Sequence, residues 1–217
     1  MNDAPMQQTD LYFFLARVFA REVDAEFLRQ LRSPDFQSLM QEFEVELDRD
    51  LLNKEDGVVL EELAIEYSGC FVGPGQFVSP QESIHHERQD CDWGKYWGAD
   101  TAALKKFIEA AGMQIQAPFA GLPDHISVEL EFVGQLGRAV NEKLAAGDQS
   151  EALYGLRMKR RFFDDHLLQW APAFCDKTIA IAERPFYAEL AGLLKALLEL
   201  EDQTLGEALE GLTRLGV

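Results

Sequence analysis

The chain has 217 residues, 38 acidic side chains against 20 basic ones, and a formal net charge of −18. Such a balance repels DNA, RNA and anionic membrane surfaces, which excludes nucleic acid as a natural partner. A hydrophobic content of 47% suffices for a sizeable core at this length and excludes disorder as a global description.

Charge is concentrated between Glu22 and Glu66, where fourteen acids face only Arg29, Arg32, Arg49 and Lys54. A charged partner of that stretch would be basic, although solubility is the commoner reason for acidic helix faces. No apolar run reaches the roughly 18 residues that a membrane span requires. Met1-Asn2-Asp3-Ala4-Pro5-Met6 lacks the charged and apolar regions of a secretory signal. A cytoplasmic protein without membrane insertion is expected. Cys70, Cys91 and Cys175 are odd in number and lack CxxC spacing, which fits a reducing compartment.

In chain order, Leu11, Phe14, Leu15, Val18 and Phe19 recur at helical spacing and predict a first helix from Thr9 to Glu22, with Thr9 or Asp10 as its cap. Asp24 precedes a short helix through Phe27, Leu28 and Leu31 that Ser33-Pro34 ends. A third runs through Phe36, Leu39, Met40, Phe43 and Leu47, and a fourth from about Asp56 to Cys70, stopping at Phe71-Val72-Gly73-Pro74-Gly75. Residues 71–98 then show no sustained period and predict a long hinge loop, a kind of segment that usually carries function.

Periodicity resumes with Leu104, Phe107, Ile108 and Ala111, closed by Gly112. Pro123 is expected to open a long helix carrying Ile126, Leu130, Val133, Leu136, Val140 and Leu144 up to Gly147. Another is predicted from Ser150 to about Trp170, interrupted by Pro172, with a shorter one following to Ala182. Pro185 starts a further helix through Leu198, and Thr204 caps a separate last helix with Leu205, Leu209 and Leu212. Strand signals are nearly absent. The expected fold is all-α: an irregular bundle of about ten helices forming one domain over residues 1–217, with subdivision expected only at the hinge.

Residues that could carry chemistry are few. His85, His86, Glu87, Asp90, Cys91 and Asp92 cluster potential metal ligands, but adjacent histidines seldom reach one ion and no second pair completes a set, so no metal is expected. There is no GxSxG elbow and no P-loop, and Glu129 and Glu131 face different sides of a helix, so no catalytic residue and no cofactor are expected. Arg157, Lys159, Arg160 and Arg161 read as a solvated, internally paired helix face.

Two features stand out. Pro123-Asp124-His125 places an acid and an imidazole in the first turn of a long helix, as a functional pair or simply as a capping acid with a neighbour. Glu66 to Ser83 carries Phe71, Phe77 and Val78 in loop context, where they either cover a core edge or line a groove.

With these features in this order, the chain resembles the TorD/DmsD/NarJ type of redox-enzyme maturation chaperone. Glu66-Tyr67, Phe71-Val72-Gly73-Pro74 and Pro80-Gln81-Glu82-Ser83-Ile84 resemble that family's EYxxxFxGP…PxES segment. Pro123-Asp124-His125 through Glu129-Leu130-Glu131-Phe132 resembles its PDHxxxELEF signature. Phe163, His166-Leu167, Trp170, Phe174, Phe186-Tyr187, Leu190-Ala191 and Leu193-Leu194 resemble its C-terminal pattern. Gly75 and Gln81 depart from the aromatic residues that several relatives carry nearby, though Phe77 is placed to substitute.

The resemblance implies a non-enzymatic, cytoplasmic, all-helical chaperone that binds the twin-arginine leader, the apo form, or both, of a molybdenum-cofactor oxidoreductase and delays its export until the cofactor is inserted. It assigns peptide binding to Asp124 and His125, and more loosely to Tyr67, Phe71, Gly73, Pro74, Phe77, Glu82 and Ser83. Alternative readings are an assembly chaperone for a leaderless molybdoenzyme subunit and a nucleotide-regulated binding protein. A monomer or a homodimer swapped across the hinge fits the connection at residues 71–98.

Overall fold

The computed structural model describes residues 8–45, 48–113 and 121–214. The helices are α1 (Gln8–Ala20), α2 (Ala25–Leu31), α3 (Pro34–Glu42), α4 (Arg49–Asn53), α5 (Asp56–Tyr67), α6 (Glu82–His85), α7 (Ala99–Ala110), α8 (Ile126–Ala145), α9 (Gln149–Phe162), α10 (Leu168–Ile181) and α11 (Pro185–Arg214). Single π-helical turns, Ser68–Val72 and Phe163–Leu167, extend α5 and join α9 to α10. The fold is all-α, and among the described residues the extended pairing is an isolated antiparallel bridge between Gln81 and His125.

The long helices pack in sequence, α1 on α8, α8 on α9 and α10 on α11. The α1 stripe of Leu11, Leu15, Val18 and Phe19 is fully buried, as an amphipathic face must be to repay its ordering. Close approach of α1 to α8 depends on two glycines. A Cβ on Gly134 would lie 2.9 Å from the Phe13 ring, and one on Gly137 would lie 2.5 Å from Thr9 Cγ2. A buried polar tie fixes a third helix to this layer. Glu201 of α11 accepts from the Tyr12 hydroxyl at 3.1 Å and from Lys159 Nζ at 2.7 Å.

Local signals hold where a side chain supplies the missing partner. Asp24 caps α2 by accepting from Phe27 N at 2.8 Å, and Ser33 caps α3 with Pro34 at its first position. Gly112 and Gly147 take left-handed conformations just past α7 and α8.

Several expectations are corrected. The described part of α1 begins at Gln8, which puts Thr9 and Asp10 inside its first turn rather than at its cap. The third helix ends at Glu42, where Glu44 turns to φ 56°, and the short α4 follows; Leu47 lies outside the described residues. Pro123 does not open the long helix: Ile126 does, with Asp124 and His125 before it. Pro172 lies within α10, one turn after the π turn, and deletes a donor without ending the helix. The two C-terminal helices are one, because Thr204 bonds back to Glu201 O at 3.2 Å instead of capping a new start. The hinge is also not wholly irregular, since α6 sits inside it.

Among the described residues no helix is long and apolar enough to cross a membrane. Cys70 and Cys175 are buried thiols and Cys91 is an exposed one.

Candidate functional site

The loop before α6 and the turn before α8 are stitched together through their backbones. Glu82 N donates to Asp124 O at 2.9 Å, and Ile126 N donates to Pro80 O at 2.8 Å. The Asp124 carboxylate adds a third stitch, accepting from Ser83 N at 3.1 Å. One oxygen of this fully buried aspartate, Oδ2, is thereby held by a backbone donor at the head of α6, while Oδ1 has no hydrogen-bond partner among the described residues. His125 is the N-cap of α8, its Nδ1 accepting from Ser127 N at 3.1 Å. Burial lowers its pKa to about 4, so the ring is neutral at physiological pH and keeps the lone pair that the cap requires.

Beneath this clamp lies a buried charge network. His166 Nδ1 stands 3.0 Å from both oxygens of Glu82, which has no solvent exposure. His86 Nδ1 lies 3.4 Å from Glu82 and 3.3 Å from Asp100, and Arg88 Nη1 donates to Asp100 at 2.9 Å. Burial acts to raise the Glu82 carboxyl, but bonds from His166 and His86 outweigh it and hold it below its ordinary value. Hydrogen bonding to Glu82, aided by Asp100, raises His86 against its burial. Deeper still, Trp170 Nε1 donates to Glu129 at 3.3 Å, and burial together with the Glu82 charge pushes the Glu129 carboxyl well above its ordinary value.

Glu82, His86 and Asp100 each present one ligand atom within 4.8 Å of the others. Two carboxylates and an imidazole suit a divalent cation, but Arg88 and the two histidines already balance these acids. The donor set is that of a self-compensating ion-pair network, which reaches the His85–Asp92 cluster expected from sequence at His86 and, through Arg88, at Asp90, whose two oxygens lie 3.0 and 2.6 Å from the guanidinium.

The outer loops hang on this frame. His85 Nε2 donates to Ser79 O at 2.6 Å while its ring stacks on Trp170. Gly94 N donates to Ser83 O at 2.8 Å, pinning the 86–98 segment to α6. Tyr96 Oη comes within 3.4 Å of Ser79 Oγ, so the two loops adjoin.

The site residues expected from sequence therefore divide. Asp124, His125, Glu82 and Ser83 are together and buried. Tyr67 and Phe71 belong to the aromatic core with Phe19, Phe174 and Tyr187, and the Tyr67 hydroxyl donates to Phe19 O at 3.1 Å. Pro74 and Phe77 face solvent with Val72, while Gly73 is half-buried. A Cβ on Gly73 would lie 2.8 Å from Ser68 O, so the π turn requires glycine there.

Sequence reasoning missed Trp93, Tyr96 and Trp97. All three are exposed, Trp97 at 73%, and Trp97 is held at φ 60°, a conformation that a bulky residue rarely adopts. Three aromatics in the five residues from Trp93 to Trp97 were the available signal.

The frame is all-helical, with loops carrying exposed aromatics pinned over a buried ion-pair network. The chain belongs to the nitrate reductase delta subunit family, whose family model matches residues 33–176. It is 26% identical over 209 residues to the chaperone protein TorD of Shewanella piezotolerans, covering 90% of each chain. It is 27% identical over 207 residues to TorD of Shewanella pealeana, covering 89% of this chain and 87% of that one, and 26% identical over 211 residues to TorD of Salmonella arizonae, covering 92% and 91%. The class is that of redox-enzyme maturation chaperones, which are not enzymes.

Proposed function

We propose that the protein is a cytoplasmic, system-specific chaperone that binds the twin-arginine leader of a molybdenum-cofactor oxidoreductase, or its apo form, and holds the client until its cofactor is in place. The observation that carries this reading is the exposed aromatic surface of Phe77, Tyr96 and Trp97 on two adjoining loops. Solvent-facing aromatics on pinned loops are binding anchors, and a leader's apolar run supplies what they would bury. Exposed acids of the Glu22–Glu66 stretch, such as Glu55 and Glu61, supply charge complementary to paired arginines.

In this reading Phe77 is a contact residue. Asp124, His125, Glu82 and Ser83 are positioning residues, because their polar atoms hold the loops from below. Tyr67, Phe71, Gly73 and Pro74 shape the end of the first loop.

Isothermal titration calorimetry with a leader peptide bearing two arginines and an apolar run is the test. Micromolar or tighter binding is expected, weaker at high salt and for Asp124→Ala. Equal affinity for a Lys-Lys or scrambled control overturns the reading.

A further inference from the structure

Helices α1, α2 and α3, together with Arg138 of α8, line an open groove of about 1160 Å³. The volume exceeds the range of about 300–1,000 Å³ in which small-molecule sites fall, and suits the row of side chains on one face of a docked helix. Its floor is apolar: Phe13, Phe14, Phe27, Phe36 and Leu39 line it, and the Phe14 ring centre lies 5.8 Å from that of Phe27 and 5.0 Å from that of Phe36. Phe27 is buried, but Phe13, Phe14, Phe36 and Leu39 are only half-buried. Helix α3 commits Met40 to full burial and leaves Phe36 and Leu39 open to the groove, so its apolar stripe is only partly covered.

Charge divides the groove into two unlike walls. On the α1 side the cations are compensated: Arg138 pairs with Asp10 at 2.8 Å and lies 4.0 Å from the Phe13 ring centre, and Arg17 pairs with Asp24 at 2.7 Å and lies 4.5 Å from the Phe27 ring centre. On the α2–α3 side Glu26, Asp35 and Glu42 line the groove, are exposed and form no ion pair among the described residues, with Arg29 as the cation of that wall. An occupant therefore meets apolar rings below, compensated charge along one edge and uncompensated negative charge along the other.

We propose that this groove docks an amphipathic helix of a partner protein, one whose apolar stripe is bordered by lysine or arginine along a single edge. Leucine-sized side chains at i, i+3, i+4 and i+7 of that helix sit among Phe13, Phe14, Phe36 and Leu39, and its basic edge faces Glu26, Asp35 and Glu42. A second copy of this chain is disfavoured as the occupant by its own net charge of −18, and a uniformly apolar segment leaves the acidic wall unmatched. The proposal does not rest on leader binding, because the groove shares no residue with the surface of Phe77, Tyr96 and Trp97.

Calorimetry on the full chain tests it, with peptides of about five helical turns as probes: an amphipathic Leu/Lys helix, its Leu/Glu counterpart, and a Leu/Lys scramble of the same composition without a stripe. Saturable micromolar binding of the Leu/Lys helix is expected, at least tenfold tighter than either control. Phe36→Ser/Leu39→Ser should weaken it at least tenfold. Glu26→Gln/Glu42→Gln, which removes only exposed charge, should weaken it several-fold and flatten its salt dependence with an unchanged thermal melting curve, whereas the same change at two exposed acids of α11, Glu189→Gln/Glu199→Gln, should not. No saturation at millimolar concentration overturns the proposal, as does equal affinity for the scramble or in either groove variant. Displacement of the helix by a peptide bearing two arginines and an apolar run would assign the groove to the leader, and concentration-dependent self-association abolished by Phe36→Ser/Leu39→Ser would assign it to a second copy; either result overturns it as well.

Discussion

Glu82 and His166 lie 84 residues apart in sequence and meet at 3.0 Å, both buried, where α6 crosses the π turn between α9 and α10. An ionised Glu82 accepting at both oxygens requires the proton on His166 Nδ1, which fixes the ring's orientation. The same carboxylate reaches His86, whose other neighbour, Asp100, begins the next helix. One acid thus registers α6, the start of α7 and the π turn against one another, and the loops carrying Phe77 and Trp97 inherit that register.

Glu82→Ala should destabilise the protein by about 3–5 kcal/mol, the usual cost of stranding the partner of a buried ion pair. Glu82→Gln keeps the acceptor oxygen and should cost less. In urea melts, a Glu82→Gln/His166→Gln double variant should recover part of the summed single losses. Strict additivity would show that the two residues do not interact.

Acid stability follows from His125. Its folded pKa of about 4 lies below the ordinary 6.5, so between these values the unfolded chain binds more protons than the native one. Its contribution is present above pH 6.5 and is lost as the pH falls toward 4, by at most about 3 kcal/mol. His125→Asn keeps a capping acceptor without the titration, so its stability relative to wild type should rise on acidification through that window. Parallel pH profiles from chemical denaturation would contradict this.

The two α8 glycines offer a packing test with an internal control. Gly134→Ala and Gly137→Ala drive a methyl into Phe13 and Thr9 and should each cost about 1–3 kcal/mol, since the helix pair cannot separate without losing its core. Gly192 in α11 has open space around the same position, and Gly192→Ala should stabilise by about 0.5–1 kcal/mol through helix propensity alone. Thermal melts of the three variants should move in opposite directions.

Legibility in the sequence tracked the range of the interaction. The apolar stripe of α1, the acid before α2, the stop at Ser33-Pro34 and the stop at Gly112 are set within one helical turn and could be read directly. Asp124 and His125 were recognisable as unusual, but their place before α8 rather than within it depends on the backbone pairing with Pro80 and Glu82, forty residues away. The burial of Phe71 was equally invisible locally, because an aromatic just past a helix end looks the same whether Tyr187 and Phe174 close over it or not. Thr204 misled for the opposite reason: a hydroxyl that caps helices also bonds back inside them.

The last prediction separates anchors from scaffold. Trp97 and Phe77 expose enough ring to solvent that replacing them removes little packing, so Phe77→Ser/Trp97→Ser should leave the thermal melt within a degree or two of wild type. If these rings bury the apolar run of a leader, the same variant should lose tenfold or more in peptide affinity, as truncating aromatic anchors commonly does. Asp124→Ala should behave differently: it frees Ser83 N, loosens the loop and lowers both melting temperature and affinity. Measuring both quantities on both variants distinguishes a contact from a support, and unchanged affinity in the double aromatic variant would place the peptide elsewhere.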